Sequence, residues 1–384
     1  MIPVLALMTV PFVFTLGGFV FVGLLEPMAA SLGVSIAKVA TLQAGYAFAC
    51  AICGPLIAHV TRNWRKKPLL LATLAFLAVV NGWSAIAPDY ATLMGTRILI
   101  GGLGALAVPL AVAMGVAAAP AEKRAKTIAA IYAGVVLALM IGIPAGSVIG
   151  GLFDWRASLW MTSTFCAVSL VLVAIHVPNL AANVVPKGAS AMPARSYGYL
   201  AVTLLAFTAM FSMVGFIGPV ISALTGFGAY GIAGLQVLIG LSGFIGLRIG
   251  ATLATRPSQK GLPLLFAGIA LGLAILAYPL SIGTASVYGL VAMVLSILIA
   301  PTSQFGTAPI VQSRLAHAAG PAATFALAMN GSMVYLGQGL GVACGAFAIA
   351  QWGLAAAPVT GAFFALLGLV LSLGMHRATR THPS

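Results

Sequence analysis

Arg97 is the residue whose chemistry is hardest to reconcile with its surroundings. It lies about two turns inside the apolar stretch 91–118, where an isolated guanidinium costs at least ~2.5 kcal/mol, so it has to face protein or a hydrated interior. Gln43 and Tyr46 fall on one helix face, Gln304 with Ser303 interrupts another apolar stretch, and Asn330, Tyr335 and Gln338 gather in a third. These side chains offer neutral hydrogen bonding, which suits sugars, nucleosides or small amphipathic drugs, whereas Arg97 without a buried counter-acid suits an anion. The chain has four acids, Glu26, Asp89, Glu122 and Asp154, and three of them fall in loops beside apolar stretches. Glu26, at the outer end of the first stretch, is the candidate proton site. His59 and His176 stand at stretch ends and read as interfacial groups. Cys50, Cys53, Cys166 and Cys344 all sit among apolar residues, where a thiol packs as a small hydrophobe, and the lone C-x-x-C lacks the further ligands a metal needs. No nucleophile, base and metal-ligand set gathers anywhere, so no enzyme, metal or cofactor is expected.

The elements that position these groups follow from composition. Of 384 residues, 61% are hydrophobic and 6% charged, with a mean hydropathy of +1.13, a balance that a bilayer can fold and water cannot. Apolar blocks near 3–27, 38–60, 68–87, 91–118, 126–150 and 157–178 predict six membrane helices. Blocks near 196–220, 228–254, 262–280, 284–312, 320–349 and 354–375 predict six more. Between the sets, 179–195 contains Pro186, Lys187, Gly188, Ser190 and Pro193 and reads as a cytoplasmic linker. The expected domains are thus an N-terminal bundle, 1–178, and a C-terminal bundle, 196–384. The first block is too long and lacks the basic flank of a cleavable signal peptide.

Charge tests the count. With both termini inside, cytoplasmic segments hold Arg62, Arg65, Lys66, Lys67, Lys123, Arg124, Lys126, Lys187, Arg195, Arg256, Lys260, Arg314, Arg377 and Arg380, and the opposite side holds Lys38 and Arg156. The net charge of +14 is dispersed in these short clusters rather than along one face, which argues against nucleic acid as a partner. Arg248 lies near enough to a span end to snorkel.

Several motifs carry a resemblance. GPLIAHVTRNWRKKPLLL, Gly54–Leu71, is similar to the loop between spans two and three of the major facilitator superfamily, roughly G-P-L-x-G-x-x-x-D-R-x-G-R-R-P. Gly54, Pro55, Leu56, Lys66, Lys67 and Pro68 match; Ala58, Arg62 and Arg65 stand where glycine, the acid and glycine are usual. FVFVGLLEPMAASLGVS, GTRILIGGLGA, PAEKRAKT, GIPAGSVIGG with the following DWR, PIVQSR and ALAMNGSMVYLGQGLGVACGA occur in the order seen in the arabinose-efflux-like branch of the twelve-span drug:proton antiporters. The resemblance implies an all-α protein of two pseudo-symmetric six-helix bundles, monomeric, in the cytoplasmic membrane. It implies a transporter that exports a small-molecule substrate by rocking about a midplane cavity lined by Gln43, Tyr46, Arg97, Gln304, Asn330, Tyr335 and Gln338. It also implies gating roles for Gly54, Pro55, Arg62, Lys66 and Lys67 in a tight loop, and for Gly142, Pro144, Gly146 and Gly150 in span five. Span one has Gly17 and Gly18 where the branch usually carries proton-binding acids, so proton coupling stands against uncoupled diffusion or organic-anion exchange. A transport-dead sensor or scaffold is the more distant alternative. Gly142, Gly146 and Gly150, like Gly337, Gly341 and Gly345, leave one helix face smooth for a close neighbour.

Overall fold

In the absence of water every backbone polar group must be satisfied within the chain, which leaves helices as the economical answer for these apolar blocks. The computed structural model describes residues 2–179, 192–255, 260–283 and 285–381 and contains twelve helices long and apolar enough to cross a membrane. They run Ile2–Phe19, Ile36–Val60, Lys66–Ala85, Tyr90–Ala118, Lys126–Leu152, Trp155–His176, Ala194–Val214, Ala229–Thr255, Gly261–Ile282, Val287–Ala322, Phe325–Trp352 and Ala356–Met375. Most of the expected linker, residues 180–191, lies outside the described residues, as do Lys187 and Arg256. Among the described residues the basic loops Arg62–Lys67 and Lys123–Lys126, with Arg195, Lys260 and Arg314, collect at one end of the bundle, here the basic end. Glu26, Lys38, Asp89, Asp154 and Arg156 occupy the far end.

The structure corrects the reading in four places. Span one does not continue to residue 27: its helix stops at Phe19, the chain turns, and a separate short helix, Leu25–Leu32, carries Glu26 and closes on Gly33 at φ +63°. Span seven does the same, stopping at Val214 before a short helix Ile217–Thr225 that closes on Gly226 at φ +70°. Hydropathy is blind to these breaks because the residues in them are as apolar as the helices. Ser303 and Gln304 do not interrupt span ten, which is one helix from Val287 to Ala319; a polar side chain leaves the backbone ladder intact. Gly54 and Pro55 are not in a turn, for the second helix continues through them to Val60.

Helix ends show why the chain turns where it does. Ser35, Asp89, Asp154 and Ser286 each accept a backbone N–H of the following turn, the strongest local start signals in the chain. The Thr92 N–H donated to Asp89 at 2.8 Å holds that carboxyl below its usual range. In span five, Pro144 lacks the donor that would close on Met140, and the helix widens into a π-turn at Ala138–Gly142.

Packing between the first six spans and the last six runs through span two on span eleven, the far half of span five on span eight, and the short helices Leu25–Leu32 and Ile217–Thr225 on each other. Spans four and ten, and the basic-end half of span five, Arg124–Leu137, pack within their own sets. The two sets therefore close together at the far end and separate toward the basic end.

Candidate substrate path and gate

The broken end of span one and the guanidinium of span four solve each other's problem. A helix that stops at Phe19 leaves its last carbonyls without intrahelical donors. The Leu16 and Phe19 carbonyls are taken by Val20 and Val22, and that of Gly17 accepts Arg97 Nη1 at 2.8 Å. The negative end of the helix dipole adds to this attraction. Gly101 lets span four approach the Tyr46 carbonyl of span two, a contact that any Cβ would block, and this closeness carries Arg97 beneath span one. The Arg97 guanidinium also lies over the Phe21 ring, 5.4 Å from its centroid. Arg97 is 1% exposed, so of the two expected surroundings, protein or a hydrated interior, it takes the first and is packed inside the first six helices. Its Nε and Nη2 have no protein partner.

Where the sets meet, four close approaches make a gate. Gly218 N donates to Val22 O at 3.3 Å, linking the breaks of spans seven and one, and a Cβ on Gly218 would stand 3.0 Å from the Gly23 backbone. Ser147 Oγ of span five donates to Gln236 Oε1 of span eight at 2.8 Å, with both residues buried. Gly23 backs onto that pair, since a Cβ there would run into Ser147 Oγ and Gln236 Nε2. Gly151 faces Ala229 beyond the pair, and Met140, from the π-turn, covers Gly240 on its inner side. Sequence reasoning missed this gate. Its one available signal is Gln236, a lone amide within span eight.

On the basic-end side of the gate, aromatic rings cross between the sets twice. Phe19 stands 5.7 Å from Phe211, and Phe14 stands 6.4 Å from Tyr335, centroid to centroid. Tyr46 joins Phe14 and Phe19 at 5.8 and 6.5 Å, and Phe207 stacks on Phe211 at 6.2 Å. The expected cavity residues distribute around this seam. Tyr46 is buried in it and Tyr335 is half-buried at its edge. Gln338, one turn from Tyr335, is buried with its Oε1 unpartnered. Gln43 is buried with neither amide atom bonded by protein. Asn330 is spent within its own set, accepting Thr203 Oγ1 at 2.6 Å. Gln304, on span ten, is buried with Oε1 unpartnered and is not brought to the seam by any contact across the sets.

The gating candidates also separate. The strip Gly142, Gly146, Gly150 packs on Leu16, Val20 and Leu24 of span one, so it joins helices of one set, while Met140, Ser147 and Gly151 face the other. Gly337, Gly341 and Gly345 likewise receive the Leu204, Thr208 and Ser212 carbonyls of span seven. Lys67 Nζ donates to Ala174 O at 2.9 Å, capping the end of span six, whereas Arg62 is exposed and Lys66 half-buried. Glu26 is exposed at the far end. A groove of about 300 Å³ between spans one, five and six contains none of these residues and is lined by apolar side chains such as Phe12, Leu137 and Phe165.

Comparison with known proteins places this geometry. The family described as Major Facilitator Superfamily matches residues 7–324. The inner membrane transport protein YdhP of Escherichia coli (strain K12) is 30% identical over 364 residues, covering 91% of this chain and 89% of that protein. A chloramphenicol resistance protein of Streptomyces lividans is 27% identical over 252 residues, 63% of this chain and 64% of that protein. Among solved structures, a bacterial homologue of the human lysosomal transporter Spinster, inward-facing and occupied, superposes with a TM-score of 0.80 at 14% identity over 99% of this chain and 98% of that one.

Proposed function

The chain belongs to the Major Facilitator Superfamily, and on that premise we propose that it exports a small organic solute across the cytoplasmic membrane by alternating access. The basic end is then the cytoplasmic end, both termini are cytoplasmic, and the segments 1–178 and 196–384 rock against each other about the linker 179–195. One observation carries the reading: the sets are joined at the far end by Val22–Gly218 and Ser147–Gln236 while spans four and ten pack chiefly within their own sets. Such one-sided closure is what an alternating-access protein needs at one extreme of its cycle. The drug-resistance relative supports a drug-like cargo, and chloramphenicol is the first probe to try.

Energy comes from the proton gradient in this reading. Uncoupled diffusion or anion exchange is favoured by a specific observation: among the described residues the spans hold no buried carboxylate, and Gly17 and Gly18 occupy the part of span one under Arg97. Purified protein in sealed proteoliposomes separates the two. Uptake of radiolabelled chloramphenicol should rise several-fold over empty vesicles and follow an imposed pH gradient. Uptake that ignores the gradient removes proton coupling; vesicles no more permeable than protein-free ones, for this and a panel of drug-like compounds, remove export itself.

A further inference from the structure

The groove of about 300 Å³ on the outer side of the first six helices takes no part in the gate. Its floor is span one, with Thr9 and Phe12, and its walls are Leu137 of span five and Phe165, Val168 and Ser169 of span six. The packing of the three helices makes it. In the far half, Ile143–Leu152 of span five lies directly on span six, whereas in the basic-end half Arg124–Leu137 leans on span one, as span six does. The wedge between spans five and six therefore closes toward the far end and opens toward the basic end. Phe12 and Phe165 meet edge-on at 5.7 Å where floor and wall join.

Water gains nothing in this groove. Thr9 Oγ1 donates to Ala6 O at 2.7 Å and accepts Ser169 Oγ at 2.7 Å, so both hydroxyl protons are spent, and a bound water needs about two to four polar partners. Left empty, the groove would forfeit the dispersion contacts of every side chain that lines it. Hydrocarbon meets both conditions. Phe165 and Val168 are 39% and 48% exposed, so a chain lying in the bilayer enters sideways.

Depth and charge say which hydrocarbon. Leu137 lies eleven residues from Lys126, and Phe165 eleven from His176, close to three full turns, so each pair shares a helix face. Eleven residues are about 16 Å of helix, and half of a hydrocarbon core of ~30 Å is about 15 Å. The groove thus lies at the depth reached by an acyl chain of the basic-end leaflet, with Lys126 at the level of its headgroup. Lys126 is exposed, and the turn before it adds the exposed Lys123 and Arg124 against one acid, Glu122. On the opposite wall His176 Nδ1 lies 3.1 Å from the Leu172 carbonyl, turned back onto its own helix. The charge at the mouth of the groove is therefore positive and comes from span five.

We propose that this groove is a lipid site, holding one acyl chain of an anionic phospholipid from the leaflet at the basic end, with the lipid phosphate beside Lys126. The groove supplies the fit for the chain, and the lysine supplies the preference for a net negative headgroup. Binding here needs no cargo and no turnover, so the proposal stands or falls apart from the export reading.

Photolabelling of the full chain in phosphatidylcholine nanodiscs tests it. Two probes with the same diazirine-bearing acyl chain, one a phosphatidylglycerol and one a phosphatidylcholine, are added separately at the same low fraction, and adducts are mapped by peptide mass spectrometry. Segments 8–13 and 165–169 report the groove. Segment 264–271 of span nine, with Leu264 and Leu271 exposed beside Lys260, is the reference that registers any general attraction of anionic lipid to the basic end. The glycerol-over-choline labelling ratio should be roughly fivefold higher in the groove than at the reference, the scale of one cation near an anionic headgroup. Lys126→Gln, an exposed change, should bring the groove ratio down to that of the reference. Val168→Trp, which fills the groove from its exposed rim, should cut labelling of segment 8–13 by both probes and leave the reference unchanged. Equal ratios in groove and reference, a preference that survives Lys126→Gln, groove segments that take no label, or displacement of the probe by chloramphenicol, which would make the groove a cargo site, overturns the proposal.

Discussion

A guanidinium with no carboxylate beside it must be held by something else, and Arg97 is held by the end of a helix. Inserting it costs at least ~2.5 kcal/mol, and the one hydrogen bond it makes to the Gly17 carbonyl returns at most about 1.5–3 kcal/mol. With Nε and Nη2 left without protein partners, Arg97 adds no net stability, and its presence is better explained by what it fixes: the point at which span one stops, three residues short of the gate. Arg97→Met should leave the thermal unfolding midpoint within a few degrees of the parent while lowering the rate of uptake into proteoliposomes by at least about tenfold, because the Gly17 carbonyl is released and the turn at Val20–Leu24 loses its anchor. Parent-like uptake would reduce Arg97 to a packing residue. That this arginine needs a polar interior is legible in the chain itself. That the interior is a broken helix rather than a wet chamber is not, since the break at Phe19 is written in backbone geometry across residues that are all apolar.

At the scale of elements, twelve spans are legible because hydropathy reports on the bilayer, and the gathering of Lys and Arg at one end of the bundle is legible in their spacing between those spans. The glycine strips are legible as close-packing faces, but not the partner they face. The strip of Gly142, Gly146 and Gly150 turns toward span one, and the working face of span five is the one bearing Ser147 and Gly151, seven and eleven residues beyond Met140. Nothing in a single sequence says which of two adjacent faces of a helix meets the other half. The gate predicts a concrete outcome. In a chain stripped of its four native cysteines, Ser147→Cys with Gln236→Cys should form an oxidant-induced cross-link that stops uptake, and reduction should restore it. A cross-link that forms and leaves transport untouched would show that these helices never part.

For the whole molecule, the breaks in spans one and seven are the same device used twice. Each ends its long helix early, turns, and starts a short helix closed by a left-handed glycine, and the two devices meet at Val22 and Gly218. Structural repeats that meet on a common axis rock as bodies, with the contact at one end exchanged for contact at the other. The central claim is that the far-end closure seen here is one extreme of such a cycle. Spin labels on exposed positions report it directly: Ser31 and Phe227 at the far end, Arg124 and Thr255 at the basic end, with pulsed electron–electron distance measurements in nanodiscs. On adding a transported solute, the account predicts a second population in which the Ser31–Phe227 distance lengthens and the Arg124–Thr255 distance shortens together, each by several ångströms. Distances that stay fixed at both ends, or two ends that open in unison, would contradict it.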